Sequence, residues 1–342
     1  MPTHRVHAHL AAGIACVAAL LLAGCASTGA AGAGGGPSDA GSAGSAGSAA
    51  FPLTIDNCGT EVTFEAAPER VVTIKSSTLE LMLALGLEDR IVGSAFSDGP
   101  VPEALADEAS GIESLSDKVP SHEVTLAAEP DLVFAGWESN LSAEGAGDRE
   151  TLAKLGVASY VAPAACKSEG YMPHPLTFDE VFREFEEAGE IFGVPDVAAD
   201  LVSSQRTELA AIEPNTEGLT ALWYSSGSDT PYVGAGIGAP QMIMQAAGLE
   251  NIAADVEDTW TSMGWEAIVD ANPDVIVLVD AAWNTAEQKI AHLESSAATA
   301  ALPAVQAQRY LVIDFPATEA GVRNVGAVAS LVEQLGELDG LG

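Results

Sequence analysis

Four cations fall where an apolar, strand-like run ends or soon after it. Lys75, followed by Ser76, and Lys167 close such runs; Lys118 lies in the loop 115–119, and Arg323 follows the run 310–315. The chain has 13 Lys plus Arg against 49 Asp plus Glu, so cations at strand ends can build a local positive pocket for an anionic group. Pairing with neighbouring carboxylates is the alternative for each of them. Trp137, Trp260 and Trp283 sit in loops after strands or before helices, where an indole can stack on a flat ring. Trp223 and Trp265 read first as core residues. Trp223 is kept among the candidates with Tyr224, Ser225 and Ser226, which open a hydroxyl-rich loop suited to polyol or phosphate contacts. Gly234, Gly236 and Gly238 precede a helix start, where backbone N–H groups can meet an anion, although a plain turn explains them as well. No set for bond chemistry accompanies these residues. There is no Gly-x-Ser-x-Gly elbow, no paired-carboxylate motif and no spacing that offers three or four metal ligands, and His122, His174 and His292 share no motif. The pattern points to binding of an aromatic, anionic small molecule, with no cofactor, rather than to catalysis.

The formal net charge of −36 excludes a nucleic-acid binder, which needs clustered Lys and Arg. It equally excludes docking on an anionic bilayer through a basic patch. Residues 10–22 form an apolar run too short to span a bilayer and suited to a signal-peptide core. The run ends in Leu22-Ala23-Gly24-Cys25, which resembles the lipobox of bacterial lipoproteins; the resemblance implies cleavage before Cys25 and acylation of its thiol. Residues 26–50 are almost entirely Gly, Ala and Ser and read as a flexible tether. The expected location is extracytoplasmic, anchored by lipid to the cell membrane. Cys58 and Cys166 remain; in an oxidising space they can pair as one disulfide or stay as two buried thiols.

The elements that must position these residues alternate between strand and helix. Residues 51–64 read as a hairpin, 70–74, 91–93 and 131–135 as strands, and 78–87 and 122–128 as helices. The second half repeats the plan. Glu123, six residues and Pro130-Asp131 before an apolar run match Glu266, six residues and Pro273-Asp274 before another, each run followed by a tryptophan, Trp137 or Trp283. Between the halves lie an acidic helix at 179–193 and a second helix from 196 to 213 with Val197, Leu201, Gln205, Leu209 and Ile212 on one face. The expected class is α/β: two Rossmann-like lobes with parallel-rich sheets, joined by one long helix, with ligand loops at the strand C-termini. The expected divisions are a signal peptide (1–24), a lipidated Cys with its tether (25–50), an N-terminal lobe (51–195), a connecting helix (196–213) and a C-terminal lobe (214–342).

Five stretches, in this order, resemble the helical-backbone substrate-binding proteins of ABC importers for cobalamin and ferric siderophores. They are Pro68-Glu69-Arg70-Val71-Val72, Glu80-Leu81-Met82-Leu83-Ala84-Leu85-Gly86, Glu129-Pro130-Asp131-Leu132-Val133, Gly248-Leu249-Glu250-Asn251-Ile252 and Asn272-Pro273-Asp274-Val275-Ile276. The resemblance implies an interlobe ligand cleft in a monomer that works with permease and ATPase subunits. It also implies that a surface Glu on each lobe docks to permease arginines. Glu80 falls on one such position and the uncharged Gln245 on the other, with Glu250 nearby. The stretches 137–142, 162–167, 223–232 and 234–238 resemble one subgroup, the proposed binders of coenzyme F-420 lacking its glutamate tail, a deazaflavin with a phospholactate end. A corrinoid or a ferric siderophore is the alternative cargo.

Overall fold

The computed structural model describes residues 50–338. The expected signal peptide, Cys25 and the expected tether up to residue 49 lie outside the described residues.

The first lobe opens with the hairpin β1 (Leu53–Asn57) and β2 (Thr60–Phe64), turned at Cys58-Gly59. It continues through β3 (Val71–Ile74), α1 (Ser76–Ala84), β4 (Ile91–Ala95), α2 (Ala106–Ala109) and β5 (Ser114–Ser116). Then follow α3 (His122–Ala127), β6 (Leu132–Ala135), α4 (Arg149–Lys154) and β7 (Ala158–Val161). These form a parallel sheet in the order β5-β4-β3-β6-β7. Every residue of β3 and β6 is buried, as expected for central strands covered on both faces.

Two helices come next, α5 (Phe178–Ile191) and α6 (Pro195–Ala211). Thr177 and Glu180 cap α5 reciprocally, and Pro195 opens α6 in its first turn. The expected face of α6 packs on the core through Leu201, Leu209 and Ile212; only Val197, 43% exposed, departs from it, while Ala198 and Val202 beside it are buried. A close helix crossing accounts for Ala198. A Cβ on Gly189 of α5 would lie 2.4 Å from the Ala198 Cβ, so the two backbones meet there and turn Ala198 inward.

The second lobe holds β8 (Leu219–Ser226), β9 (Tyr232–Gly234), α7 (Ala239–Ala246), β10 (Leu249–Asn251), β11 (Trp260–Ser262) and α8 (Trp265–Ala271). It closes with β12 (Val275–Asp280), α9 (Ala286–Ser295), α10 (Pro303–Gln306), β13 (Tyr310–Asp314) and α11 (Asn324–Glu337). Here β10, β8, β12 and β13 pair in parallel, repeating the order β4-β3-β6-β7, while β9 and β11 add an antiparallel edge.

The repeated Pro-Asp motif now has a mechanical reason. The Asp131 carboxylate accepts the N–H groups of Glu69 and Arg70, and the Asp131 N–H donates back to Arg70 O. In the second lobe Asp274 accepts from the Thr220 N–H and hydroxyl, and its N–H returns to Thr220 O. Each Asp thus staples the start of β6 or β12 to the start of the neighbouring central strand. The residues before the prolines, Glu129 and Asn272, both turn at positive φ (50° and 47°), which ends the preceding helix. A continuous apolar core joins the lobes, running from Val71 and Leu79 through Phe185 and Val202 to Trp223, Val277 and Val328. Cys58 and Cys166 are joined by a disulfide with their Cα atoms 5.4 Å apart, tying the hairpin turn to the loop after β7.

Candidate ligand cleft

A cavity of about 860 Å³ opens between the two lobes, at the C-terminal ends of their strands. From the first lobe come Ser77, Gly136, Trp137, Glu138 and Lys167; from the second come Ser225, Ser226, Tyr232, Trp260, Trp283, Phe315 and Glu319. The two tryptophans of the repeated motif therefore meet across one space. Trp283 is 60% exposed and sits edge-on to Phe315, and Trp260 stacks on Tyr232 with centroids 5.9 Å apart. These rings give the cavity flat apolar walls.

Of the expected ligand residues, Trp137, Lys167, Ser225, Ser226, Trp260 and Trp283 line this cavity. The others do not, and each has a physical reason. Lys75 is 1% exposed, paired with Asp98 and roofed by aromatic rings: its Nζ lies 3.6 Å from the Trp137 ring centroid and 5.1 Å from that of Phe315. It supports the cavity from beneath. Ser76 is buried beside it, where its hydroxyl accepts the Asp98 N–H. Trp223 is wholly buried in the core, and the buried Tyr224 donates its hydroxyl to Gly227 O. Lys118 is exposed and lies outside the cavity wall.

Arg323 is also engaged elsewhere. It forms a two-pronged ion pair with Glu80, at 2.7 and 2.5 Å, and donates to Pro100 O. Glu80 is 1% exposed, so it cannot present a docking carboxylate at the surface; burial pushes its carboxyl up in spite of Arg323. Gln245 is exposed on α7. Glu123 and Glu266, in the first turns of α3 and α8, are exposed at matching positions on the two lobes.

Charged side chains on the wall are mostly spent on their own neighbours. The Glu138 carboxylate accepts from the backbone N–H groups of Lys167 and Ser168 and from the Ser168 hydroxyl. Lys167 reaches across the cleft to Thr259 Oγ1 at 2.6 Å and Asp258 at 3.1 Å. Arg149, partly on the wall, donates to Asn57 and Ser159 and so braces the hairpin against β7. Glu319 accepts from the Trp137 indole at 3.1 Å, and burial pushes its carboxyl up. Sequence reasoning missed Glu319, Glu138, Tyr232 and Phe315. Phe315 closes a predicted strand, which was a usable signal; Glu319 offered none.

The family profile described as "Periplasmic binding protein" matches residues 71–317. An ABC transporter substrate-binding lipoprotein of Bacillus subtilis, YvrC, itself uncharacterized, is 29% identical over 67% of this chain and 70% of its own length. The cobalamin-binding protein of Halobacterium salinarum is 28% identical over 67% of this chain, a stretch equal to 58% of that protein. A crystal structure from Saccharomonospora viridis, described as an ABC-type Fe3+-hydroxamate transport system, superposes with a TM-score of 0.70 at 28% identity, covering 84% of this chain and 100% of that one. With two parallel-rich lobes around one cleft, the chain belongs to the periplasmic binding protein family, whose members are transport receptors and not enzymes.

Proposed function

We propose that this protein is the extracytoplasmic, lipid-anchored binding component of an ABC importer and that its cargo is a corrinoid. The observation that carries the cargo is the character of the cavity wall. Five aromatic side chains line it, both lining cations are bonded to protein partners, and two carboxylates, Glu138 and Glu319, face the same space. A flat macrocycle bearing neutral amides fits such a wall, since indoles stack on the ring and carboxylates accept amide N–H groups. A deazaflavin with a phospholactate end needs unspent cations, and the wall among the described residues offers none; its expected anchors Lys75 and Arg323 are sequestered. The relatives support the same choice, because the Halobacterium protein is named for cobalamin and none reported above is named for a deazaflavin. A ferric hydroxamate is the second reading, supported by the Saccharomonospora structure.

Titration of the purified full chain with cyanocobalamin should quench its tryptophan fluorescence, because Trp137, Trp260 and Trp283 all line the cavity. Binding of the deazaflavin with no response to cyanocobalamin would sink the corrinoid assignment. The anchor rests on Cys25, and the name of the Bacillus relative includes a lipoprotein.

Delivery to a permease needs a feature repeated on both lobes. Glu123 and Glu266 provide it: both are exposed, both occupy the first helical turn, and both precede a Pro-Asp staple by the same spacing. Reversing both charges (E123R/E266R) is expected to leave cargo affinity unchanged and to abolish uptake in cells. Normal uptake by the doubly reversed protein removes these residues from the docking surface.

A further inference from the structure

Glu319 differs from every other charged side chain on the cleft wall. Glu138, Arg149 and Lys167 each make several hydrogen bonds within the protein. Among the described residues, Glu319 accepts one hydrogen bond, through Oε2 from the Trp137 indole, and forms no ion pair. The cation that acts most on it, Lys75, is committed to Asp98. The carboxyl is half-buried, and Trp137 and Phe315 share its part of the wall. Much of its desolvation cost is therefore already met by the fold, and its acceptor capacity is largely unspent.

Resting on the corrinoid reading above, we infer that Glu319 is the specificity residue of the cleft: it accepts a hydrogen bond from an amide or ammonium donor of the cargo and rejects a carboxylate or phosphate at that position. Rejection follows from like charge in a partly desolvated site. The bond partner Trp137 belongs to the first lobe and Glu319 to the second, so the anchor is assembled across the cleft. A ligand donor that binds Glu319 while its ring lies on Trp137 touches both lobes at once.

The test uses two pairs of probes on the full chain in detergent, wild type and Glu319→Gln. Gln keeps an acceptor for the Trp137 indole but not the charge. The first pair is cyanocobalamin and the monocarboxylate made by hydrolysing one peripheral amide. The second is a ferric trihydroxamate with a free amine and its succinylated, carboxylate form. Wild type is expected to prefer the amide or amine member by about tenfold or more near neutral pH, and the variant to fall to about twofold. The wild-type preference should also shrink on acidification, as the carboxyl takes up its proton, while that of the variant stays flat; a merely structural role would not produce this. An unchanged preference in the variant overturns the inference and leaves the corrinoid reading standing. If only the hydroxamate pair binds, and the variant loses its preference there, the corrinoid reading falls and the role of Glu319 stands. If neither pair binds, both fall.

Discussion

Removing the Glu80 carboxylate is expected to destabilise the fold by about 3–5 kcal/mol, the cost of leaving one member of a buried ion pair without its partner. Glu80 lies on α1 of the first lobe, and Arg323 precedes α11 of the second. Two parallel N–H···O bonds join them, and the same guanidinium also holds Pro100 O. With Glu80 replaced by Ala, Arg323 keeps its burial and loses its counter-charge. Arg323→Ala should cost a similar amount, because it strands a carboxylate that is 1% exposed. The double replacement by apolar residues of similar volume, E80L/R323M, should recover most of the loss, since neither charge is then orphaned. Urea unfolding followed by tryptophan fluorescence measures all four proteins. Single variants within about 1 kcal/mol of the parent would show that the pair is dispensable to lobe packing. The pairing also bears on cargo: Arg323 is held by the first lobe, so its loss should act through stability before it acts on affinity.

The parts of this molecule that are local in sequence were legible, and those that depend on distant partners were not. The buried runs of β3, β6 and β12 read as strands because both of their faces are covered, leaving a continuous apolar signal. The repeat was visible through Glu123 and Glu266, the Pro-Asp staples and the two tryptophans, because each staple acts within one strand-helix unit. Three strands went unread. Ser114–Ser116, Tyr232–Gly234 and Trp260–Ser262 are three residues long, too short for alternation to register. At the cleft, strand-end position pointed to Trp137, Lys167 and Trp283, which line the cavity. The same rule misplaced Lys75 and Arg323, because what removes them from the wall is a carboxylate far along the chain: Asp98 for one and Glu80 for the other. Of the four strand-end cations, Lys75, Lys167 and Arg323 each pair with a carboxylate. Glu319 was unreadable for the converse reason: its meaning comes from an indole 182 residues away.

Stability is expected to fall as pH rises from about 4.5 to about 8, through one buried carboxyl on α5. Glu184 is 6% exposed, and burial pushes it up to about 8. It sits on a second cavity of about 360 Å³ with Glu180, Arg183 and Glu187 from its own helix and Tyr171 and His174 from the preceding loop. Tyr160 of β7 donates its hydroxyl to Glu187 at 2.6 Å, so the neighbouring carboxylate on this face is already engaged. The folded protein keeps the Glu184 proton over a range in which the unfolded chain has released it. The native state therefore binds more protons, and each rise in pH across that window favours unfolding. Glu184→Gln imitates the protonated side chain. It should match the parent in urea unfolding near pH 5 and exceed it by about 3–5 kcal/mol near pH 9, where the parent must either bury a charge or open. The hydrogen bond from the Ala164 backbone N–H favours the ionised carboxylate, but burial outweighs it. Ionisation strengthens that bond, so the cost at high pH is the burial of the charge and not a loosening of the turn Pro163–Ala165. Parallel stability curves for parent and variant across this pH range would mean that Glu184 is ionised in the folded protein.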